Sequence, residues 1–432
     1  MTRAKTLVAV CVALMAVISS VTGLNVAQPH LAAEFGASQG TVLWIINVYV
    51  LTLAALLLPL GAVGDRWGRR PVLLAGLGVF GVANVLAGLA PSVEVLLAAR
   101  VLAGVGAATI MPVTLAVITS TFPEEERGRA IGVWTGVAGG GGLLGMFLSA
   151  LLVDVADWRF LFVLPVVLVA VALVMAAGHV PDSRDVRPFD LGGALTSSVA
   201  VAGLIYFLHE GDLVGLAVGA AAAVGFVVWE LRHRSPLLDV RVFRDRLATG
   251  SVVLLVVFGV QAGVSIVLYP FFQTVLGWSG LVSTVALLPM AGLMMVASGA
   301  APGLAERVGA RATTAAGIAL SGIGLVLMAS LVTDDYLSVL PGMIAMGVGM
   351  GLSMPGATEA ITSSLPREQQ GVASALNDVT REFGTALGVA LLGAVVAGAV
   401  DSGGSFVEGW RTATWTGAAL MAVLLAFVVR RR

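Results

Sequence analysis

The segment NDVTREFG, residues 377–384, places two acids and a base inside an apolar stretch long enough to cross a membrane. In a helix, which turns about 100° per residue, Asp378, Arg381 and Glu382 lie on one stripe with Asn377 beside them. Charges are costly in such surroundings. Two acids with one base leave a net negative charge, which suits a site that loads and releases a proton. The alternative is an ion pair that locks the helix.

Two more charged residues are candidates for the same chemistry. Glu359 is separated from this stripe by a short loop, so it is either a third proton-carrying acid or a side chain at the membrane interface. Arg100 lies about two turns inside another apolar stretch. It should face the interior of a helix bundle or an aqueous cavity, unless its long side chain reaches out to the interface.

The composition indicates an integral membrane protein. Of 432 residues, 58% are hydrophobic and only 11% are charged, which is too few to cover a soluble surface. A net charge of −1 argues against a nucleic-acid partner. The single cysteine, Cys11, excludes a disulfide framework, and the dispersed histidines predict no metal site. With Lys5 as the only lysine, the sequence has no G-x-x-x-x-G-K-[ST] loop, so we expect no bound ATP and no other cofactor.

Fourteen apolar stretches of about 20 residues predict transmembrane helices, and no stretch has a strand pattern. We expect the first to be a transmembrane helix rather than a cleaved signal peptide. Because the loops are short, the helices should form one compact bundle. The predicted spans, numbered 1 to 14 in chain order, are residues 6–27, 41–63, 71–90, 94–119, 129–152, 158–178, 190–208, 213–231, 247–269, 280–302, 312–332, 337–362, 370–399 and 410–429.

The distribution of positive residues predicts the orientation of these spans. With the N-terminus in the cytoplasm, nearly all of the 24 lysines and arginines fall on the cytoplasmic side, and the opposite loops carry mainly acids. The cytoplasmic set includes Arg3, Lys5 and a cluster at 232–246. An even number of spans then places both termini in the cytoplasm. The preference for arginine, with abundant Ala, Gly and Val, is typical of a GC-rich genome, so we expect a bacterial plasma membrane.

An internal repeat divides the chain. GDRWGRRPVLLAG and AERVGARATTAAG, which begin at Gly64 and Ala305, align without a gap. Each copy links the second and third helices of a half, as in transporters whose two halves move around a central site. Six helices per half leave spans 7 and 8 as an inserted hairpin, so we expect halves at 1–179 and 247–432 with the insert and a linker at 180–246. The matched residues include Asp65 with Glu306, Gly68 with Gly309, and Arg70 with Arg311.

Several motifs resemble those of a known family. GAVGDRWGRR at 61–70 and RVLAGVGAA at 100–108 resemble two signatures of the major facilitator superfamily, G-x-L-x-D-R-x-G-R-R/K and R-x-x-x-G-x-G-A-A. WIINVYVL, PLLDVRVF and GVASALNDVTREFG resemble its fourteen-span drug:proton antiporter branch. The resemblance covers essentially the whole chain. It implies an all-α membrane protein with the major facilitator fold, two six-helix halves plus a two-helix insert.

The resemblance implies a gating role for residues 61–70, here called the gating segment. Asp65 lies at a helix end, where its carboxylate can engage arginines or the N-terminus of a helix in the other half. Such a contact would form in one conformation and break in another. The alternative is a tight cytoplasmic turn whose arginines face lipid headgroups. The gating residues are Gly61, Asp65, Arg66, Gly68, Arg69 and Arg70.

The resemblance also implies a role in proton coupling for Arg100. In this branch an acid usually precedes the motif T-x-x-N-V-A-x-P, whereas this chain has Ser20 before Thr22. In an antiporter, the acids of spans 12 and 13 must then carry the coupling, which again indicates Glu382, Asp378 and Glu359.

The substrate cavity should be lined by spans 1, 2, 4 and 5 and their counterparts in the second half. For each polar or aromatic candidate, packing between helices or anchoring at the interface is the alternative to substrate contact. The candidates are Asn25, Gln28, Trp44, Asn47, Tyr49, Gln261, Tyr269 and Gln273.

The sequence therefore predicts proton-coupled efflux of small amphipathic compounds, such as drugs and antibiotics, by alternating access. The alternatives are a facilitator or proton symporter for a metabolite, favoured by Ser20, and an exporter of a lipid or natural product. We expect no enzyme activity, because the G-x-S-x-G match GASQG has neither a preceding strand nor a histidine partner. The expected partners are a small-molecule substrate, protons and membrane lipid, and we expect the chain to work as a monomer.

Overall fold

The computed structural model describes residues 2–155, 157–183, 188–243 and 245–430, and every regular element in these ranges is a helix. The predicted all-α fold is confirmed. Apolar runs form helices because a helix satisfies its own backbone groups, as lipid requires. The α-helices are Thr2–Val26 (α1), Gln28–Phe35 (α2), Gln39–Trp67 (α3), Arg69–Gly88 (α4), Val93–Thr121 (α5), Glu124–Val155 (α6), Val163–His179 (α7), Leu191–Glu210 (α8), Leu213–Arg232 (α9), Asp245–Thr274 (α10), Gly280–Val308 (α11), Ala310–Leu331 (α12), Tyr336–Thr362 (α13), Gln370–Asp401 (α14) and Phe406–Arg430 (α15).

The prediction of fourteen spans is confirmed. Among the described residues, 14 helices are long and apolar enough to cross a membrane. The sequence does not predict α2, whose 8 residues are too few for a membrane-spanning pattern. Local signals do account for its ends, since a proline lies in its first turn and Gly36, with φ 57°, follows its last residue.

The chain forms two compact units. The first contains Met1–Ala130, Leu144–Arg244 and Thr362–Val379. In it, α3 and α4 pack against α5, and α1 packs against α7. The hairpin of α8 and α9 packs against α3 through α8, where the rings of Trp44 and Tyr206 lie 5.9 Å apart.

Ionic and aromatic contacts hold α2 within the first unit. Glu34 accepts hydrogen bonds from Trp158 Nε1 at 2.8 Å and pairs with Arg159 at 2.7 Å. The Arg159 guanidinium, with the Trp158 indole, holds the pKa of the Glu34 carboxyl below its usual range. The ring of Phe35 lies edge-on to Trp158 at 5.8 Å. These contacts fix a helix that is too short to be stable alone.

The second unit contains Ile131–Leu143, Asp245–Ile361 and Thr380–Arg432. In it, α15 packs against α10 and α12, and Ser298 Oγ donates to Gly132 O at 2.8 Å. An aromatic cluster joins the end of α10 to the starts of α11, α13 and α15, although aromatic residues make up only 6% of the chain. The cluster consists of Phe271, Phe272, Trp278, Tyr336 and Trp410.

The gating segment differs from the predicted turn because it is almost entirely helical. α3 continues to Trp67 and α4 begins at Arg69, so Gly68 alone makes the turn. Gly68 has φ 104° and ψ 131°, and the matched Gly309 between α11 and α12 has φ 92° and ψ 143°. Residues with a Cβ rarely adopt this conformation. The repeat in the sequence is therefore also a repeat of backbone geometry.

The matched arginines also make matched contacts. Arg70 donates to the carbonyl of Ala177 near the end of α7. Arg311 Nε donates to Val428 O at 3.0 Å near the end of α15, and its Nη2 donates to the next carbonyl. The last carbonyls of a helix lack partners within the helix, so a guanidinium stabilises them by hydrogen bonding and by its charge. Each copy of the repeat thus caps the last helix of its predicted half.

The Gly68 turn can be tested by substitution. We expect Gly68→Ala to destabilise the protein by about 1–3 kcal/mol, because alanine is strained at this positive φ. The measurement is the thermal unfolding midpoint of the purified protein in detergent. The control is Gly78→Ala in α4, where an added Cβ meets no atom within 4 Å. Equal midpoints for the two variants would contradict the strained-turn account.

Candidate functional site

The carboxylate of Asp65 binds the N-terminus of α14. It accepts hydrogen bonds from Gly371 N at 2.8 and 2.9 Å and from Val372 N at 3.2 Å. These two N–H groups lie in the first turn of α14, where the helix offers no acceptor and its dipole favours a negative charge. Asp65 is 4% exposed, so this contact is shielded from solvent. The contact has the form expected for a gate, a carboxylate held on a helix N-terminus.

Arg69 completes the surroundings of this carboxylate. Its Nη2 and Nε lie 2.8 and 3.2 Å from Asp65 Oδ1. Nη2 also donates to Arg367 O, 3.0 Å away, just before α14. Arg69 is 3% exposed, which differs from the alternative in which it faces headgroups. The arginine therefore links the turn after α3 to the chain that enters α14.

Two glycines permit this close approach. A Cβ on Gly61 would lie 2.8 Å from Ala375 Cβ, and one on Gly371 would lie 2.8 Å from Asp65 Oδ2. A Cβ atom essentially never lies this close to a non-bonded carbon or oxygen atom, so larger residues would push α3 and α14 apart. Of the other gating residues, Arg66 is half-buried beside Asp65, Gly68 makes the turn, and Arg70 caps α7 instead of joining the Asp65 contact.

Arg100 is fully buried in the first unit, with 0% exposure. This differs from an arginine that reaches the interface. Its Nη1 donates to Ser20 Oγ at 3.0 Å, its Nε donates to Ile45 O at 3.3 Å, and its guanidinium lies 4.1 Å from the centre of the Tyr49 ring. A weakly hydrated, planar guanidinium tolerates such surroundings better than an ammonium group would. Nη2 has no hydrogen-bond partner within the part of the chain that the structure describes.

Ser20 is therefore the side chain whose hydroxyl accepts a hydrogen bond from the Arg100 guanidinium. It donates a hydrogen bond to Asn84 Oδ1 at 3.2 Å, and Asn84 Nδ2 donates to Phe80 O at 2.8 Å. Where the fourteen-span branch usually has a carboxylate, this chain has a hydroxyl in direct contact with the arginine. Among the described residues the partners of Arg100 are neutral, so its charge is stabilised by two oxygens and a ring face rather than by an ion pair.

The charged stripe of the thirteenth span lies on α14, as predicted. Asp378 is 0% and Arg381 is 6% exposed, and Glu382 is half-buried. The Arg381 guanidinium lies 4.5 Å from the centre of the Phe258 ring and 5.7 Å from that of Trp134. Asn377 Nδ2 lies 3.3 Å from Asp378 Oδ1. Glu359 differs from these residues because it is exposed, one turn before the end of α13.

At least three of the eight cavity candidates contact other residues of the protein. Gln28 accepts from Gln39 Nε2 at 3.2 Å, Tyr269 OH lies 3.4 Å from Gly280 O, and Trp44 contacts Tyr206 of the inserted hairpin. Asn47 is half-buried and Gln273 is exposed, while the side chain of Asn25 lies outside the described residues.

Two of the candidates have surroundings that fit a binding role. Tyr49 is buried against Arg100. Gln261 Oε1 is buried and accepts no hydrogen bond from any described residue, so it retains its capacity to bind a donor.

Several residues that build these sites were not predicted from the sequence. Gly371 and Val372 act through backbone N–H groups, and Ile45 acts through its carbonyl, so their side chains carry no signal. Trp134 and Phe258 present ring faces that look like ordinary apolar positions in a helix. The one feature of the sequence that could have indicated such a contact was Gly371, a small residue at the start of a span that also carries charges.

The chain is similar to known transport and resistance proteins. A sequence model of the Major Facilitator Superfamily matches residues 8–389 and 304–432. The chain is 32% identical over 409 residues to multidrug resistance protein Stp of Mycobacterium tuberculosis, covering 92% of this chain and 76% of Stp. It is 33% identical over 423 residues to the tetracenomycin C resistance and export protein of Streptomyces glaucescens, covering 94% and 78%. It is 32% identical over 412 residues to methyl viologen resistance protein SmvA of Salmonella typhimurium, covering 91% and 82%.

A solved structure shares the fold. The crystal structure of the human organic anion transporter MFSD10 (TETRAN) matches with a TM-score of 0.74 at 15% identity, covering 98% of this chain and 99% of that one. At this identity the match concerns the arrangement of helices and not the substrate.

The contact between Arg100 and Ser20 can be tested by stability. We expect Ser20→Ala to cost about 1–3 kcal/mol, because a buried guanidinium donor loses its acceptor. The control is Ser19→Ala, since Ser19 is similarly buried and, among the described residues, its hydroxyl donates to Ala16 O of its own helix at 3.0 Å. Thermal unfolding in detergent measures both variants. A Ser20→Ala midpoint no lower than that of Ser19→Ala would show that the hydroxyl does not stabilise Arg100.

Proposed function

The chain belongs to the Major Facilitator Superfamily, and from that premise we propose that it exports small amphipathic compounds, including drugs, in exchange for protons. It is a multi-pass membrane protein and a transporter rather than an enzyme. The names of its relatives support export, because they describe resistance to methyl viologen and resistance to and export of tetracenomycin C. The bacterial origin of these relatives supports a bacterial plasma membrane. The positive residues support cytoplasmic termini.

The observation that carries proton coupling is the charged stripe of α14. Asp378 and Arg381 are almost fully buried, and Glu382 lies one residue further along the same helix. Burial opposes the charged form of a carboxyl, and a nearby guanidinium favours it. A small change in surroundings during transport can therefore bind or release a proton. We assign the proton to Glu382 and Asp378, with Glu359 as a further carrier and Arg381 and Arg100 as charges that tune them.

The gate is proposed to be the contact between Asp65 and α14. Its charged hydrogen bonds to Gly371, Val372 and Arg69 are strong but few, so a rigid-body movement of α14 would break them together. Alternating access would then consist of forming and breaking this contact while the halves 1–179 and 247–432 move. The turn at Gly68 keeps Asp65 and Arg69 on adjacent helix ends, so both are delivered to the same site.

Tyr49 of the first unit and Gln261 of the second unit are proposed as substrate-contacting residues of their respective units. Tyr49 is a buried aromatic side chain whose ring packs against a buried positive charge. Gln261 offers a buried carbonyl oxygen that accepts no hydrogen bond within the described chain. Apolar walls with a few polar groups suit amphipathic molecules that carry a ring and a hydrogen-bond donor.

A second candidate function is facilitated diffusion or proton symport of a metabolite. The contact that favours it is Arg100 with Ser20, where a hydroxyl replaces the acid usual in the antiporter branch. Without that acid, a proton has one fewer place to bind in the first unit. Antiport then depends entirely on the acids of α13 and α14, so antiport and facilitated diffusion give opposite outcomes in one experiment.

Proton coupling predicts a specific loss of activity. In bacteria that lack their own efflux pumps, we expect the wild-type chain to lower accumulation of a fluorescent cationic dye. A protonophore should abolish this effect. Glu382→Gln and Asp378→Asn should each reduce the initial efflux rate by at least about tenfold, which corresponds to losing about 1.4 kcal/mol of coupling.

The control is Asp401→Asn, which removes an exposed acid at the end of the same helix. Rates are normalised to the amount of protein in the membrane. Efflux that survives both the protonophore and the two α14 substitutions would favour facilitated diffusion and make the stripe a structural ion pair.

The gate predicts a difference between the two copies of the repeat. We expect Asp65→Asn to reduce dye efflux by about tenfold or more without lowering the amount of protein, because an amide cannot accept hydrogen bonds from all of these donors. Glu306→Gln is the matched control, since Glu306 aligns with Asp65 but is exposed. Normal efflux by the Asp65→Asn variant would rule out this gate.

A further inference from the structure

The base of the inserted hairpin holds two buried carboxylates that no transport step uses. Asp190, immediately before α8, is 4% exposed, and Glu230, near the end of α9, is 1% exposed. Asp190 Oδ1 accepts hydrogen bonds from Gly193 N and from Trp229 Nε1, both at 2.9 Å. The same carboxylate thus caps α8 and ties α8 to α9.

Both carboxylates also hold the chain that follows α9. Leu237 N donates to Asp190 Oδ2 at 3.3 Å, and Leu238 N donates to Glu230 Oε2 at 3.2 Å. His233 Nδ1 lies 3.5 Å from Asp190 Oδ2 and 2.9 Å from Ser235 O. Residues 235–238, here called the linker clamp, are therefore fixed through their backbone rather than through their side chains.

The fit at this point depends on a glycine. A Cβ on Gly193 would lie 2.7 Å from Asp190 Oδ2 and would overlap Glu230 Oε1. The neighbouring Gly192 makes the same kind of room for the Trp229 ring. The glycines of the segment DLGG therefore leave room for the Trp229 and Glu230 side chains of the segment WE. Two helices do not need such a specific fit merely to form a hairpin in lipid.

The linker clamp lies beside the gating segment. A small, partly open cavity is lined by both, and by the start of α14. Asp65 and Arg66 form one side of it, Asp190 and Leu237 form another, and Val372 belongs to α14. Val372 is also one of the two residues whose N–H groups bind Asp65. The wall of this cavity is therefore continuous with the gate.

Two further contacts join the gating segment to the chain that enters the hairpin. The rings of Trp67 and Phe189 lie 5.5 Å apart. Arg69 N donates to Ser183 O at 3.3 Å. These contacts lie at the end of α3 and the start of α4, on either side of Gly68. The turn at Gly68, which positions Asp65 and Arg69, is thus also held by contacts with residues outside the two predicted halves.

We propose that Asp190 and Glu230 are positioning residues of the gate, which act by holding the linker clamp against the gating segment. The inserted hairpin is then a working part of the gate rather than a peripheral addition. Release of the linker clamp would open the cavity beside Asp65. The Asp65 carboxylate would then be held less firmly against the N-terminus of α14. The effect on transport rests on the proposed function, whereas the effect on the cavity does not.

The test measures the accessibility of the cavity and transport in parallel. Ala62, which lines the cavity and is 9% exposed, is replaced by cysteine in a Cys11→Ser background. Its reaction rate with a water-soluble maleimide is measured in permeabilised cells, so that the reagent reaches both faces of the membrane. We expect Asp190→Asn to raise this rate by about tenfold, the factor expected for losing one charged hydrogen bond. Trp229→Phe, which keeps an aromatic side chain but removes the Nε1 donor, should also raise it.

The matched control is Asp212→Asn. Asp212 caps α9 at the other end of the hairpin by accepting from Val214 N at 3.0 Å, so it reports on hairpin stability alone. Dye efflux should fall with Asp190→Asn and remain with Asp212→Asn. An unchanged maleimide rate in Asp190→Asn, or equal rates in the two Asn variants, would overturn the proposal. Faster maleimide labelling of Asp190→Asn in a chain that exports no dye would support the role of the linker clamp and would count against the proposed function instead.

Discussion

A buried carboxylate in a chain of apolar helices is stable only where fixed donors surround it, and the gate region depends on one such group. Asp65 is 4% exposed and accepts from two backbone N–H groups of α14 and from Arg69. Helix dipole, guanidinium charge and hydrogen bonds all act on the same two oxygens, which reduces the cost of removing the charge from water. The one-residue turn at Gly68 lets Asp65 and Arg69 reach a single site from two helix ends.

The two copies of the repeat share geometry but not this interaction. Gly68 and Gly309 make the same turn, and Arg70 and Arg311 each cap a later helix of their own unit. The aligned acids differ, since Asp65 is buried on a helix N-terminus and Glu306 is exposed. The glycine turn and the arginine contact therefore occur in both copies of the repeat. The buried acid on a helix N-terminus occurs in the first copy and not at Glu306 in the second. The hairpin of α8 and α9 adds to this asymmetry, because it braces the first copy through Phe189 and the linker clamp.

The buried arginines are stabilised by aromatic faces as well as by polar atoms. Arg100 lies 4.1 Å from the Tyr49 ring centre, and Arg381 lies 4.5 Å from that of Phe258. A ring face attracts a cation without bringing a second titratable group into the helix bundle. In the first unit the partners of Arg100 include a hydroxyl, so the proposed proton binding would rest on the acids of α13 and α14.

The sequence by itself determined the all-helical fold, the fourteen spans, the repeat and the charged stripe of α14. These follow from hydropathy and periodicity, which are local properties read along the chain. It also indicated Asp65 and a helix N-terminus as partners, but not which helix. Only the tertiary structure decided that Gly371 and Val372 bind Asp65, that Ser20 contacts Arg100, that Trp44 packs on the hairpin, and that the linker clamp adjoins the gate. Those contacts join residues far apart in sequence, several through backbone atoms that every residue shares, and in nearly uniform apolar helices the sequence does not reveal which faces meet.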